Sequence, residues 1–325
     1  MSQDLPFSQS LIDLYSKPPS IKKAHFFSPL VDLKENKCVN MPESKSFLGT
    51  ALAWKGSVTP KVLPRVIVAA IYALIICYIE PLFPGFSFSI TPFEYSGALL
   101  AVILVLRVNA GHDRWWEARK IWGAIVNQSR NLALVIYGYG DQSNEIRQTL
   151  LKWIAAWPHV MRGSLRKELQ LQEVSELLGE DETEKIRKSE NTSMYVAHKI
   201  ISMLHSLRMQ GMDSYVFQRA ETERSQLIDA IGACERIRNT RMPLVLAIKT
   251  RRFILLFLLL LPFALVDRTG WLTPLIVALA SYPLFSLDEI GAELQNPFSP
   301  RNLSHLPLDA ICKTISNNVM GLTNL

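Results

Sequence analysis

The chain has 325 residues, of which 49% are hydrophobic and 20% are charged, and it carries a net charge of +6. With a mean hydropathy of +0.14, apolar spans have to coexist with a sizeable aqueous part. The net charge does not indicate nucleic-acid binding, because the basic residues flank hydrophobic segments and form no stripe with interleaved aromatics. The four cysteines have no CxxC spacing, so neither a disulfide framework nor a zinc site is indicated.

Residues 1–47 are predicted to be a poorly ordered extension, because they contain five prolines, mixed charge and little periodicity. They include Asp4 and Asp13 and have no continuous apolar segment, so a secretory signal peptide is not expected. They also lack the Ser/Arg-rich, acid-poor composition that is typical of a plastid transit peptide.

Four apolar segments follow, each shorter than the roughly 20 residues of a usual membrane span. They are Val66–Ile79, Tyr95–Leu106, Phe253–Val266 and Trp271–Leu287. Lys and Arg lie before the first segment, after the second and before the third, which places both termini and the middle of the chain on the cytoplasmic side. The pattern predicts two spans in residues 48–140 and two in 244–290. A soluble all-helical protein with buried core helices is the alternative.

The second apolar segment runs without a proline into a basic, Trp-rich sequence, which predicts one helix from Tyr95 through Asn131. Its apolar part is too short to cross a hydrocarbon core of ~30 Å alone. Arg107, Asn109 and Arg114 therefore lie at or near the membrane and are expected to face neighbouring helices, headgroups or a water-filled lumen. A pathway through the membrane is the first hypothesis.

Residues 141–243 are predicted to form an aqueous helical region, and residues 291–325 a cytosolic C-terminal segment. Apolar residues recur at three- and four-residue spacing over Glu145–Leu169, Ser193–Met209 and Met212–Arg238. The acidic run Glu180–Glu182 is predicted to be a solvated turn. No strand alternation of any length occurs, so the fold is expected to be all-α.

Motifs of enzymes and metal sites are missing from the sequence. His198 and His205 could share a helix face, but no carboxylate stands at metal-ligand spacing beside them. There is no P-loop, no GxSxG and no dinucleotide fingerprint, so neither an enzyme nor a cofactor is predicted. The tryptophans 115, 116 and 122 fit interfacial anchoring and helix packing better than a platform for ligand stacking.

Several motifs, in order along residues 48–319, resemble the signature of the bestrophin family of anion channels, in its bacterial and plastid branch. The main motif is the RWWEAR sequence with the residues that follow it, and three further motifs support it. The residues of the main motif are Arg114, Trp115, Trp116, Glu117, Arg119, Trp122, Asn127 and Arg130. The supporting residues are Thr91–Phe93, Gly232–Ile237, Asn296, Pro297 and Phe298, and Leu306–Asp309.

The resemblance implies a homopentamer with four transmembrane helices per protomer, a cytosolic helical bundle and a central pore lined by the second spans. It places a hydrophobic neck at Ala98, Val102 and Leu106, whose four-residue spacing puts them on one helix face. Ordinary helix packing by these three residues is the alternative. Ala98 is smaller than the residue often found there, so the outer end of the neck is expected to be wide. A cytosolic aperture maps onto Tyr215.

The calcium site of the animal members is not expected here. Ser299–His305, the corresponding stretch, has no carboxylate, whereas Ca²⁺ prefers six to eight oxygen ligands.

The function implied by the resemblance is passage of chloride and other small monovalent anions, with copies of the chain and membrane lipid as partners. Basic residues near the pore would favour anions. A cation-selective channel of the same family and a membrane-anchored scaffold protein working through residues 141–243 stay open as alternatives. The expected location is a bacterial inner membrane or a thylakoid membrane, crossed several times, with both termini on the cytoplasmic or stromal side.

Overall fold

The structure is a computed structural model and describes residues 47–80, 88–139, 145–168, 171–240 and 242–324. Within these ranges the ordered elements are all helices, so the predicted all-α fold is confirmed. Apart from Phe47, the predicted N-terminal extension lies outside the described residues. The membrane-type part contains α1 (Phe47–Ala51), α2 (Thr59–Ile79), α3 (Thr91–Gly138), α9 (Leu244–Thr269) and α10 (Thr273–Glu293).

The remaining helices belong to the predicted aqueous region and the C-terminal segment. They are α4 (Glu145–Arg166), α5 (Gln172–Leu178), α6 (Glu180–Lys188), α7 (Thr192–Met209), α8 (Ser214–Asn239) and α11 (Leu308–Gly321). Two 3₁₀ turns, Gly270–Leu272 and Leu322–Asn324, follow α9 and α11.

Helix α3 is the longest element, with 48 residues. At about 1.5 Å per residue it extends for roughly 70 Å, far more than a bilayer core. The prediction of one helix from Tyr95 through Asn131 is confirmed, and the helix continues beyond both ends. Pro92 lies in its first turn, where a proline costs no backbone hydrogen bond.

By length and composition, α2 and α3 are able to cross a membrane, and only 22% and 17% of their most apolar windows are buried. The core helix of a soluble protein is mostly buried, so this exposure argues against the soluble alternative. Helices α9 and α10 contain the third and fourth predicted spans together with charged residues such as Arg251 and Asp288. The four-span arrangement stays a prediction.

An apolar cluster joins α2, α3, α9 and α10. Its buried members are Ala73, Leu100, Leu104, Ile254, Leu258, Leu261, Leu265 and Val277. Ion pairs at one end add a second link between α2 and α10, with Arg65 Nη1 3.1 Å from Glu289 Oε2 and Lys61 paired with Glu293.

The second and larger core belongs to a helical bundle, in which α4 is buried on nearly all sides between α7 and α11. Two side chains of α11 donate hydrogen bonds to carbonyl oxygens of α4. Ser316 Oγ lies 2.7 Å from the Ala155 oxygen, and Cys312 Sγ lies 3.3 Å from the Pro158 oxygen. The chain end is thereby held against the centre of the bundle.

The prediction of a solvated turn at Glu180–Glu182 is wrong, because these residues form the first turn of α6. Gly179, with a φ of 86°, allows the chain to enter the helix sharply. Carboxylates in a first turn are favoured by the helix dipole, and basic residues fill the last turn. Lys185 Nζ also lies 2.8 Å from Glu182 Oε1, which supports so short and polar a helix.

The three cysteines in the described part, Cys77, Cys234 and Cys312, are buried and unpaired, as their scattered spacing indicates. Burial raises the pKa of the Cys234 thiol to about 12 and that of Cys312 further. Both thiols therefore stay protonated and act as small apolar groups.

A buried histidine, His159, joins α4 to α11. Its Nε2 lies 2.9 Å from Ser316 Oγ, and its Nδ1 is 3.8 Å from Glu173 Oε1. Burial lowers the pKa of His159 from 6.5 to about 4, although the charge of Glu173 opposes this shift. Arg162 lies beside the histidine and bridges Glu173 to Asp309.

We expect His159 to make the bundle sensitive to acid. Because its pKa is lower in the folded state, the unfolded chain binds a proton between pH 6.5 and about 4, and stability is lost as the pH falls through that window. The lowered pKa corresponds to a loss of roughly 3 kcal/mol in the free energy of unfolding below pH 4, at ~1.4 kcal/mol per pH unit. His159→Gln should reduce the decrease in unfolding temperature that the detergent-solubilised protein shows as the pH falls from 6.5 to about 4.

The matched control is His198→Gln, which changes an exposed histidine on α7 and should leave the wild-type pH profile unaltered. If His159→Gln gives the same pH profile as the wild-type protein, His159 is not the group responsible.

Candidate pore helix and its supporting contacts

Helix α3 has two contrasting faces along its apolar part. Ala98, Val102 and Leu106 are exposed, Val102 and Leu106 by 57% and 62%, whereas Leu100 and Leu104 are fully buried in the protomer. The structure therefore places the three predicted neck residues on one outward face, as their four-residue spacing requires. Their role as a neck stays a prediction.

The outward face changes from apolar to polar toward the C-terminal end of α3. Asn109, Asp113, Trp116 and Lys120 are exposed and continue the same face at three- and four-residue spacing. The Asp113 side chain is 84% exposed, and its nearest basic contact is His112 Nδ1, at 4.0 Å. We call the series from Ala98 to Lys120 the outer stripe.

Arg107 follows the neck residues directly but does not belong to the outer stripe. It is 2% exposed and forms an ion pair with Asp288 of α10, with Nη1 2.5 Å from Oδ1. Arg251 Nε of α9 donates to the other oxygen of Asp288, at 2.9 Å. Of the environments predicted for Arg107, the structure selects the neighbouring helix, so its charge faces away from the stripe.

Two glycines allow α3 and α10 to approach closely around this ion pair. A Cβ atom added to Gly111 would lie 3.0 Å from Leu294 Cβ, and one added to Gly291 would lie 3.3 Å from Arg107 Cγ. A side chain at either position would require Leu294 or Arg107 to shift by a few tenths of an ångström. The ion pair and the two glycines therefore depend on the same helix separation.

The signature residue Arg114 binds carbonyl oxygens at the ends of two other helices. It donates to the oxygens of Ile237 and Thr240 at the end of α8, the latter at 2.8 Å, and to Gln295 after α10, at 3.4 Å. Carbonyls at a helix C-terminus lack intrahelical partners and attract cations. Arg114 thus fastens α3 to α8 and to the C-terminal segment.

The three tryptophans of the main motif differ in their surroundings. Trp122 is fully buried in the bundle core, and Trp115 Nε1 donates to the Ser304 oxygen at 2.7 Å. Trp116 stacks against Trp115 at a centroid distance of 6.4 Å and is half exposed.

The other residues of the main motif lie toward solvent. Glu117 Oε1 lies 3.2 Å from Arg236 Nη2 in an exposed pair, and Arg119, Asn127 and Arg130 are exposed. The main motif therefore both packs α3 and covers its outer surface.

The Asn296–Pro297–Phe298 motif folds the chain back onto the bundle after α10. Asn296 Oδ1 accepts from the Phe298 backbone N–H at 3.2 Å, the Pro297 oxygen accepts from Leu306 N at 2.7 Å, and Phe298 is fully buried. Asn302 then donates to the Asn296 oxygen at 3.0 Å. Within the described ranges no group of three or more His, Cys, Asp or Glu residues is placed to hold a metal ion.

Tyr215, the predicted cytosolic aperture, lies in the first turn of α8 and is 83% exposed. Asp213 caps this helix, with its Oδ1 accepting from Tyr215 N at 2.9 Å and from Val216 N at 3.3 Å. The side chain is therefore held on a capped helix end and points out of the protomer. Its role as an aperture stays a prediction.

The sequence pattern does not identify Asp288 or Arg251 as partners of α3. The fourth predicted apolar segment ends at Leu287, immediately before the Asp288–Glu289 pair. The available signal is that the helix continues past the apolar segment, since α10 extends to Glu293. Two carboxylates beside an apolar helix segment require basic partners.

The family model described as "Bacterial/Fungal Bestrophin protein" matches residues 39–321 of the chain. The chain belongs to the bestrophin family. Relatives and solved structures agree with this assignment, and they identify a membrane protein with the bestrophin fold.

A Nostoc sp. protein named "voltage-dependent anion channel-forming protein" is 33% identical over 286 residues, covering 86% of this chain and 93% of that protein. A protein of the same description from Escherichia coli is 31% identical and covers 86% and 92% of the two chains. The crystal structure of a mutated bestrophin homologue from Klebsiella pneumoniae matches with a TM-score of 0.76 and 26% identity, over 82% of this chain and all of that one.

Proposed function

We propose that this bestrophin is the subunit of a channel that passes chloride and other small monovalent anions across a membrane. The outer stripe of α3 carries the proposal: a face with exposed Val102 and Leu106 lies opposite a face that is buried in the protomer. The names of the relatives from Nostoc and Escherichia coli, which are described as anion channel-forming proteins, support the same function.

The subunits form a homopentamer in which five copies of α3 surround one axis. Asn109, Asp113 and Lys120 continue the face that begins with the neck residues, and such groups are costly in lipid. A face that is first apolar and then polar fits a water-filled lumen shared between subunits. The number five comes from the family resemblance.

Within this pore, rings of Val102 and Leu106 form the narrow part of the neck, and a ring of Ala98 forms its wider outer end. Apolar rings resist wetting and favour ions that give up their hydration water easily. Because Arg107 points toward α10, the neck selects by dehydration and not through a ring of arginines.

Helices α2, α9, α10 and the N-terminal part of α3 provide the four spans, within residues 48–140 and 244–290. Residues 141–243 and 291–325 lie on the cytoplasmic or stromal side with both termini, and Tyr215 lines a second constriction there. Abundant exposed leucines on α9 and α10, such as Leu255 and Leu279, are suited to lipid contact. The host is a bacterial inner membrane or a thylakoid.

The double variant Val102→Ala and Leu106→Ala should widen and wet the neck. We expect a several-fold higher single-channel conductance in planar bilayers and weaker discrimination among chloride, bromide and thiocyanate. Leu279→Ala is the control, since it removes an exposed leucine from α10 and should leave the currents unchanged. Wild-type conductance in the double variant would refute the neck assignment.

A ring of Asp113 side chains on the outer stripe favours cations and is the feature that would support the cation-selective alternative. In asymmetric potassium chloride we expect the wild-type reversal potential to lie between zero and the chloride equilibrium potential. Asp113→Asn should move it further toward the chloride equilibrium potential.

Asp181→Asn, a change at an exposed carboxylate on α6, serves as the charge-matched control. A wild-type reversal potential near the potassium equilibrium potential contradicts the proposed anion selectivity. Absence of any current supports the scaffold alternative.

The native mass of the solubilised protein tests the assembly. Mass spectrometry from several mild detergents should give five chains of 36.8 kDa each. A mass of one or two chains in all detergents contradicts the pentamer.

A further inference from the structure

A cavity of about 250 Å³ lies between α3, the start of α9 and the segment after α10. Arg107 and Gln295 line it from two sides, and Leu244, Leu246 and Ala247 line it from α9. None of its described lining residues carries a carboxylate. The cavity therefore combines one cation and one amide with apolar walls, and it has room for a small ion with water.

Arg107 brings an incompletely bonded guanidinium to this cavity. Among the described residues its Nε has no hydrogen-bond acceptor, and its Nη1 touches Asp288 without an aligned hydrogen bond. Asp288 is shared with Arg251, whose side chain is 55% exposed to solvent. The buried Nε–H of Arg107 is therefore a hydrogen-bond donor without an acceptor, which costs free energy unless an anion or water enters the cavity.

The beginning of α9 adds a second, independent attraction for an anion. Pro243 precedes this 26-residue helix, no side chain caps it, and its first turn has no acidic residue. The first backbone N–H groups of a helix lack intrahelical acceptors and carry a partial positive charge. Pro243, Leu244, Leu246 and Ala247 line the cavity, so the N-terminus of α9 adjoins the space that Arg107 lines, although the Leu246 N–H already donates to the Pro243 oxygen at 3.1 Å.

We infer that this cavity is an anion-binding site on each protomer, separate from the pore, for a chloride-sized monovalent anion. The Arg107 guanidinium, the first N–H groups of α9 and the Gln295 amide supply its donors. The apolar walls and the small volume disfavour multivalent or bulky organic anions. Because Arg107 follows Leu106 directly, an anion bound here would hold α3 against α9 beside the neck.

Thermal unfolding at equal ionic strength tests the site, with bromide, chloride and gluconate as the probes. An anion that binds only the folded protein raises the unfolding temperature. The unfolding temperature should therefore be higher in chloride or bromide than in gluconate. Crystals soaked in bromide should give one anomalous peak per protomer within hydrogen-bond distance of Arg107. Absence of both the temperature difference and the peak overturns the inference.

A variant that fills the cavity and the neck variant distinguish this site from anion binding in the pore. Neither changes Arg107, whose loss could prevent folding. Ala247→Leu fills the cavity without changing a charge and should abolish the chloride effect, whereas Val245→Leu, in the same turn but outside the cavity lining, should keep it. The Val102→Ala and Leu106→Ala variant should also keep it. A chloride effect that survives Ala247→Leu but disappears in the neck variant assigns the anion to the pore and refutes the site.

Discussion

The close contact between α3 and α10 is the constraint on which the rest of the structure depends. Arg107 lies in the apolar part of α3, where an unpaired guanidinium would be very costly, and Asp288 of α10 is its partner. Gly111 and Gly291 allow the two backbones to approach closely enough for this pair. A shift of one residue along either helix would separate the charges, so the pair fixes the register of α3 against α10.

Fixing Arg107 on the inner face also fixes which side chains α3 turns outward. Successive residues of an α-helix lie about 100° apart, so an inward Arg107 places Leu106 and Val102 on another face. Selectivity in the proposed pore then depends on apolar rings and on the polar end of the outer stripe. Arg107, the cation closest to the neck in the sequence, instead lines the cavity between α3 and α9.

The C-terminal half of α3 is held by contacts of a different kind. Arg114 binds the last carbonyls of α8, Trp115 binds the Ser304 carbonyl, and Trp122 is buried in the bundle core. One continuous helix thereby joins the larger helical bundle to the proposed neck. The motif by which the family is recognised in the sequence is thus largely a scaffold for α3, and the proposed neck residues lie outside it.

The sequence by itself determined the features that follow from local periodicity and motif spacing. These are the all-helical class, the long helix through Arg107, the helices over Glu145–Leu169, Ser193–Met209 and Met212–Arg238, the family, and the common face of Ala98, Val102 and Leu106. It did not determine the partners of Arg107, because Asp288 and Arg251 are more than a hundred residues away in the chain and only tertiary packing brings them together. The same holds for the cavity behind α3, which three distant segments enclose, and for Glu180–Glu182, where dipole and side-chain pairing outweighed the low apolar content that predicted a turn.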